Sequence, residues 1–111
     1  MNVFIVGAGP GDPELITVKG QKLLSEADVI IYAGSLVNPA LLDYAKAGCE
    51  IHNSASMTLP QVINVIEDSV KQGKMVVRLH TGDPSIYGAI QEQMDALDKL
   101  GIEYKVVPGV S

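Results

Sequence analysis

Residues 80–88, His80-Thr81-Gly82-Asp83-Pro84-Ser85-Ile86-Tyr87-Gly88, gather an imidazole, several hydroxyls and a carboxylate around a turn shaped by Gly82 and Pro84. Held on a stiff turn, such groups can grip and orient a small molecule. Read more plainly, Asp83 or Ser85 caps the following helix and His80 is a satisfied strand-end histidine. The Gly-Asp-Pro triplet occurs a second time, at Gly11-Asp12-Pro13. Each copy follows a short apolar run, residues 3–6 and 75–79, that reads as a buried parallel strand. Both turns are therefore expected at the carboxyl ends of strands, the edge where open α/β sheets bind ligands. Two further polar loops, residues 32–37 with Ser35 and residues 53–58, are expected on that edge and complete a cleft.

Gly7-Ala8-Gly9-Pro10-Gly11 invites a dinucleotide-binding reading that its neighbours reject. The fingerprint needs a third glycine where Asp12 stands, and a carboxylate there would face the pyrophosphate. The second strand ends in Tyr32-Ala33-Gly34, without the acid that holds a ribose. Pro10 and Pro13 delay the helix, so its amino terminus is not aimed at a phosphate, and no Walker sequence occurs. The loop suits an uncharged or cationic ligand, although glycine and proline would equally mark a tight bend alone. His52 and His80 are too separated to give metal-ligand spacing, and no metal site is expected.

The elements that must position these groups alternate between apolar runs and helix-period segments. Strands are expected near residues 2–6, 29–32, 50–52, 75–79 and 103–107. Ile16, Gly20, Leu23, Leu24 and Ala27 line one helical face. Thr58-Leu59-Pro60-Gln61 resembles a capping box opening a helix with Val62, Ile63, Ile66 and Val70 inward. Ile86, Ile90, Met94, Leu97 and Leu100 mark a third face, closed by Gly101. Asn38-Pro39 should start a short helix. Right-handed crossovers then demand an α/β fold: a doubly wound, mostly parallel five-stranded sheet with helices on both faces.

With 111 residues and a net charge of −5, the chain is the size of one domain and lacks the lysine or arginine cluster that duplex nucleic acid requires. No apolar stretch reaches the ~20 residues of a membrane span, and Met1-Asn2-Val3 lacks a secretory basic region. A lone Cys49 excludes an internal disulfide and fits a reducing cytoplasm. The chain stops at Val107-Pro108-Gly109-Val110-Ser111, a strand and part of a turn, which suggests a fragment.

Residues 6–13 and Leu15-Ile16-Thr17-Val18-Lys19-Gly20 resemble the opening of the tetrapyrrole methylases, the corrin- and sirohaem-pathway methyltransferases. Gly82-Asp83-Pro84 and the closing residues 107–111 match the same pattern in the same order, so the resemblance spans the chain. Residues 32–37, 80–89 and Gln91-Glu92-Gln93-Met94 are similar to the branch that methylates precorrin-4 at C-11. Thr81 stands where the uroporphyrinogen branch would show a glycine.

The resemblance implies an S-adenosylmethionine-dependent C-methyltransferase of cobalamin biosynthesis, acting on precorrin-4 or cobalt-precorrin-4 and releasing S-adenosylhomocysteine. The alternatives are another ring carbon, or a cofactor-holding half without turnover. It also implies a homodimer in which residues 1–111 form the amino-terminal of two α/β domains, with the donor bound between them. By position, Pro10, Thr81, Gly82, Asp83, Ile86 and Ser111 match the cofactor-contacting residues. His80, Tyr87 and Ser35 would orient the tetrapyrrole, and no catalytic base is identified. A sulfonium donor carries no phosphate, so a Gly/Pro turn with a carboxylate suits it better than a helix amino terminus. A polycarboxylate acceptor calls for basic groups: either a second domain carries the needed arginines, or Lys19 and Arg78 lie at the cleft rim.

Overall fold

The computed structural model describes residues 2–8, 16–34, 37–81 and 87–109. The β-branched runs become strands β1 (Val3–Ala8), β2 (Val29–Tyr32), β3 (Glu50–Asn53), β4 (Val76–Thr81) and β5 (Tyr104–Val107). They form one sheet in the order β3-β2-β4-β1-β5, and every pairing is parallel. In the inner strands β2 and β4, Val29, Ile30, Ile31, Val76, Val77 and Leu79 are all fully buried. Burial on both faces is why these strands read as apolar runs instead of alternating ones, interrupted in β4 by Arg78. The edge strands are less sequestered, with Ile51 of β3 and Val106 of β5 both exposed.

Three α-helices, α1 (Val18–Glu26), α2 (Leu59–Lys71) and α3 (Tyr87–Lys99), and a 3-10 helix at Pro39–Tyr44 link the strands. From β1 the chain moves toward the β3 edge; from β3 onward it moves back, so right-handed crossovers place the two sets of connections on opposite faces. Leu23 and Leu24 of α1 and Leu41 of the 3-10 helix accordingly pack on Val6, Ile30 and Leu79. Ile63 and Ile66 of α2 and Leu97 of α3 pack on Val3, Ile31 and Val76 of the other face.

Local chemistry sets the helix ends. The Thr17 hydroxyl accepts from the Gly20 amide at 3.0 Å, and Asn38 caps the 3-10 helix through the Ala40 amide at 2.9 Å. The capping box is formed: Thr58 Oγ1 accepts from the Gln61 amide at 3.3 Å, and Gln61 Oε1 accepts from the Thr58 amide at 2.9 Å. Thr58→Ala is expected to cost about 1 kcal/mol, read as a lowered urea midpoint with unchanged slope. α3 ends in a Schellman turn on Gly101 (φ +69°), with the Ile102 amide bonded to the Leu97 carbonyl at 3.0 Å.

The inward face of α3 differs from the apolar pattern. Leu100 is exposed and Met94 only half-buried, while Gln93 is buried between Ile90 and Leu97 at i+3 and i+7. A polar side chain takes that position because a buried cation on β4 faces it. Asp28 joins the opposite edge of the sheet, accepting from the Met75 amide at 2.8 Å and from Lys46 at 2.7 Å. Those two bonds, Lys46 first, hold its carboxyl below the usual aspartate range.

Candidate active site at the carboxyl edge

The crevice between β1 and β4 is the switch point of the sheet. From β1 the chain crosses over one face to β2, and from β4 it crosses over the other face to β5. Gly7 stands level with His80, and Ala8 with Thr81, so β1 and β4 end side by side at one height. That is where such sheets bind ligands.

A third segment closes on the same edge. Val107 pairs with Val6, and the chain beyond β5 folds against Gly7. A Cβ on Gly7 would lie 2.6 Å from the Gly109 nitrogen, and one on Gly109 would lie 2.8 Å from the Gly7 carbonyl oxygen. Only two glycines permit this backbone-on-backbone approach. The ends of β1, β4 and β5 therefore converge on one small region.

Of the residues singled out by sequence, Pro10, Gly82, Asp83, Ile86, Ser35 and Ser111 lie outside the described residues, as do the side chains of Thr81 and Tyr87. The backbone of Thr81 ends β4, that of Tyr87 opens α3, and His80 is half-buried at the level of Gly7. His52 lies on edge strand β3, 2.6 Å from Glu50, with two strands between it and β1. Among the described residues no group of three or more His, Cys, Asp or Glu is gathered for a metal, and no helix is long and apolar enough to cross a membrane.

Arg78 does not sit at a rim. It is 3 % exposed, on the face of β4 that α2 and α3 cover. Its Nε donates to Gln93 Oε1 at 2.8 Å and its Nη1 to the Ile31 carbonyl at 3.2 Å. Burial lowers its pKa to about 10, so it remains charged at neutral pH. The shift corresponds to a cost on the order of 3 kcal/mol for burying the charge. Because folding lowers this pKa, the charge opposes folding below about pH 10, and the opposition lifts as the pH rises beyond that value.

Arg78 and Gln93 wall a cleft of about 300 Å³ that opens past the ends of β2 and β3, with Ser54, Met57, Leu59 and Glu92 around it. Ser54 is pinned there by donating to the Tyr32 carbonyl at 3.0 Å. At Gly34 (φ +68°) a Cβ would approach that of Ala55 to 2.8 Å, so the loops after β2 and β3 lie in close contact. Sequence periodicity missed this arrangement. A lone charge within Val76-Val77-Arg78-Leu79 and a glutamine at the inward period of α3 were the available signals.

Lys19 is exposed at the start of α1, beside Lys105 of β5. Its pKa is lowered by the hydrogen bond to Lys105 and then by the like charge. Cys49 is half-buried, and loss of solvation pushes its thiol pKa up. Less thiolate then exists at neutral pH than in a free cysteine, so Cys49 should react several-fold more slowly than glutathione with a disulfide reagent at pH 7.5. A stopped-flow comparison of the two checks this.

The family model for the tetrapyrrole (corrin/porphyrin) methylases matches residues 2–111. The chain is 67 % identical over 109 residues to the cobalt-precorrin-4 C(11)-methyltransferase of Methanocaldococcus jannaschii, covering 98 % of this chain and 42 % of that protein. It superimposes with a TM-score of 0.91 on the X-ray structure of a cobalt precorrin-4 methyltransferase, at 52 % identity, covering 99 % of this chain and 46 % of that one. A uroporphyrin-III C-methyltransferase from Thermus thermophilus, solved with S-adenosylhomocysteine, gives a TM-score of 0.79 at 36 % identity, covering 100 % of this chain and 46 % of that one. The chain thus spans less than half the length of these relatives. By that model and these identities, it belongs to the tetrapyrrole methylases.

Proposed function

We propose that this chain holds S-adenosylmethionine at the carboxyl edge of its sheet, within a homodimeric cytoplasmic enzyme that methylates precorrin-4 or cobalt-precorrin-4 at C-11 for cobalamin biosynthesis. The observation that carries the reading is the 67 % identity to a cobalt-precorrin-4 C(11)-methyltransferase along 98 % of this chain. The reading is supported at the edge by β1 and β4, which end level and adjacent, and by the close approach of Gly109 to Gly7 beside them.

When bound, the donor supplies an electrophilic methyl on a sulfonium sulfur. Pro10, Thr81, Gly82, Asp83, Ile86 and Ser111 are the residues proposed to hold it, with Asp83 facing the positive charge. His80, Tyr87 and Ser35 are proposed to orient the tetrapyrrole. An in-line displacement depends above all on placement, so a rigid edge fixed by packed strands is the main contribution such a domain can make. Asp83→Ala is expected to weaken S-adenosylhomocysteine binding at least tenfold, measured by calorimetry, while the thermal midpoint stays within a few degrees. Unchanged affinity would remove Asp83 from the site.

A further inference from the structure

The cleft on the α2/α3 face lies over β2 and β4, beside the β1–β4 crevice assigned to the donor. Arg78 is the one buried ionisable side chain among the described residues, and it walls this cleft. Its partners there are neutral: an amide oxygen and backbone carbonyls. No carboxylate among the described residues pairs with it, in a chain whose acidic side chains outnumber its basic ones by thirteen to eight. Buried charges are ordinarily paired, so a cation held by neutral groups beside an open volume attracts an anion from outside, even with the Glu92 carboxylate elsewhere on the lining. The planar guanidinium fork matches a carboxylate. Met57 and Leu59 add an apolar wall suited to the edge of a flat ring.

We propose that this cleft is a carboxylate subsite in which Arg78, held by Gln93, receives an acid side chain of the acceptor. The inference rests on the tetrapyrrole reading and specifies how this domain grips that substrate. The apolar wall and the position over β2 and β4 on the α2/α3 face favour the acceptor over the donor's own carboxylate.

The test follows the Arg78 Nε–H and Gln93 side-chain amide signals by nuclear magnetic resonance during titration of the chain. The probes are uroporphyrin, a ring bearing eight carboxylates, a cationic porphyrin bearing none, and S-adenosylhomocysteine. The expected result is a saturable shift with uroporphyrin and none with the other two. Gln93→Glu places an internal carboxylate where an amide oxygen now lies 2.8 Å from Arg78. It should preserve the fold, weaken uroporphyrin binding at least tenfold and leave S-adenosylhomocysteine affinity unchanged. An Arg78 signal silent to uroporphyrin would overturn the proposal, as would undiminished binding by Gln93→Glu. A shift caused by S-adenosylhomocysteine would overturn it too, by giving the subsite to the donor. Calorimetry with S-adenosylhomocysteine reports separately on the donor site, so its failure beside an intact porphyrin response would count against the donor reading alone.

Discussion

Gly7→Ala is expected to lower the unfolding free energy by about 3 kcal/mol, at the upper end of the range for overpacking a close-packed position. The added Cβ would meet the Gly109 nitrogen at 2.6 Å, and that atom belongs to backbone, which cannot rotate away. Either β5 or the end of β1 must move, and both border the edge proposed to hold the donor. The same substitution should therefore depress S-adenosylhomocysteine affinity by more than the stability loss alone would produce at temperatures where the fold persists. Gly88→Ala is the matching control. Gly88 is exposed in α3, a Cβ there meets nothing within 4 Å, and alanine favours a helix by about 0.5–1 kcal/mol. Urea unfolding of the two variants should thus move the midpoint in opposite directions.

Gln93→Leu should cost about as much, roughly 3 kcal/mol, although leucine fits the apolar pattern of α3 better than glutamine does. The substitution removes the acceptor 2.8 Å from Arg78 Nε and leaves a buried, charged donor facing hydrocarbon. Adding Arg78→Met should restore much of the loss, because the charge that needed the acceptor is then gone. The double variant is expected to be more stable than Gln93→Leu alone, a strongly non-additive pair. Additive costs in a urea double-mutant cycle would show that the two residues do not act as a unit.

The fold was legible because β2 and β4 are buried on both faces and so carry mostly apolar runs, and because Thr58, Asn38 and Gly101 mark helix ends by chemistry that depends on local spacing alone. Strand order could not be read the same way. It depends on which apolar runs pair across 70 residues, and only the right-handed crossover rule limits it. The expected place of both Gly-Asp-Pro segments concerns residues outside the described ones, and what the structure shows is that β1 and β4, the strands preceding them, end side by side. What sequence misplaced was Arg78, expected at a rim and found buried. Periodicity reports where apolar residues point, and it is silent on a charge and an amide that satisfy each other 15 residues apart. For the same reason the apolar stripe on α3 ran to Leu100, whose backbone already belongs to the terminal turn.

The measurement that bears most directly on the central claim is a calorimetric titration of this chain with S-adenosylhomocysteine, run beside NAD and GTP. The sequence carries two Gly-Asp-Pro segments, which suit a sulfonium donor, and no Walker sequence, so saturable binding of S-adenosylhomocysteine with no heat from the nucleotides is the predicted result. Binding of NAD or GTP in place of S-adenosylhomocysteine would contradict the account.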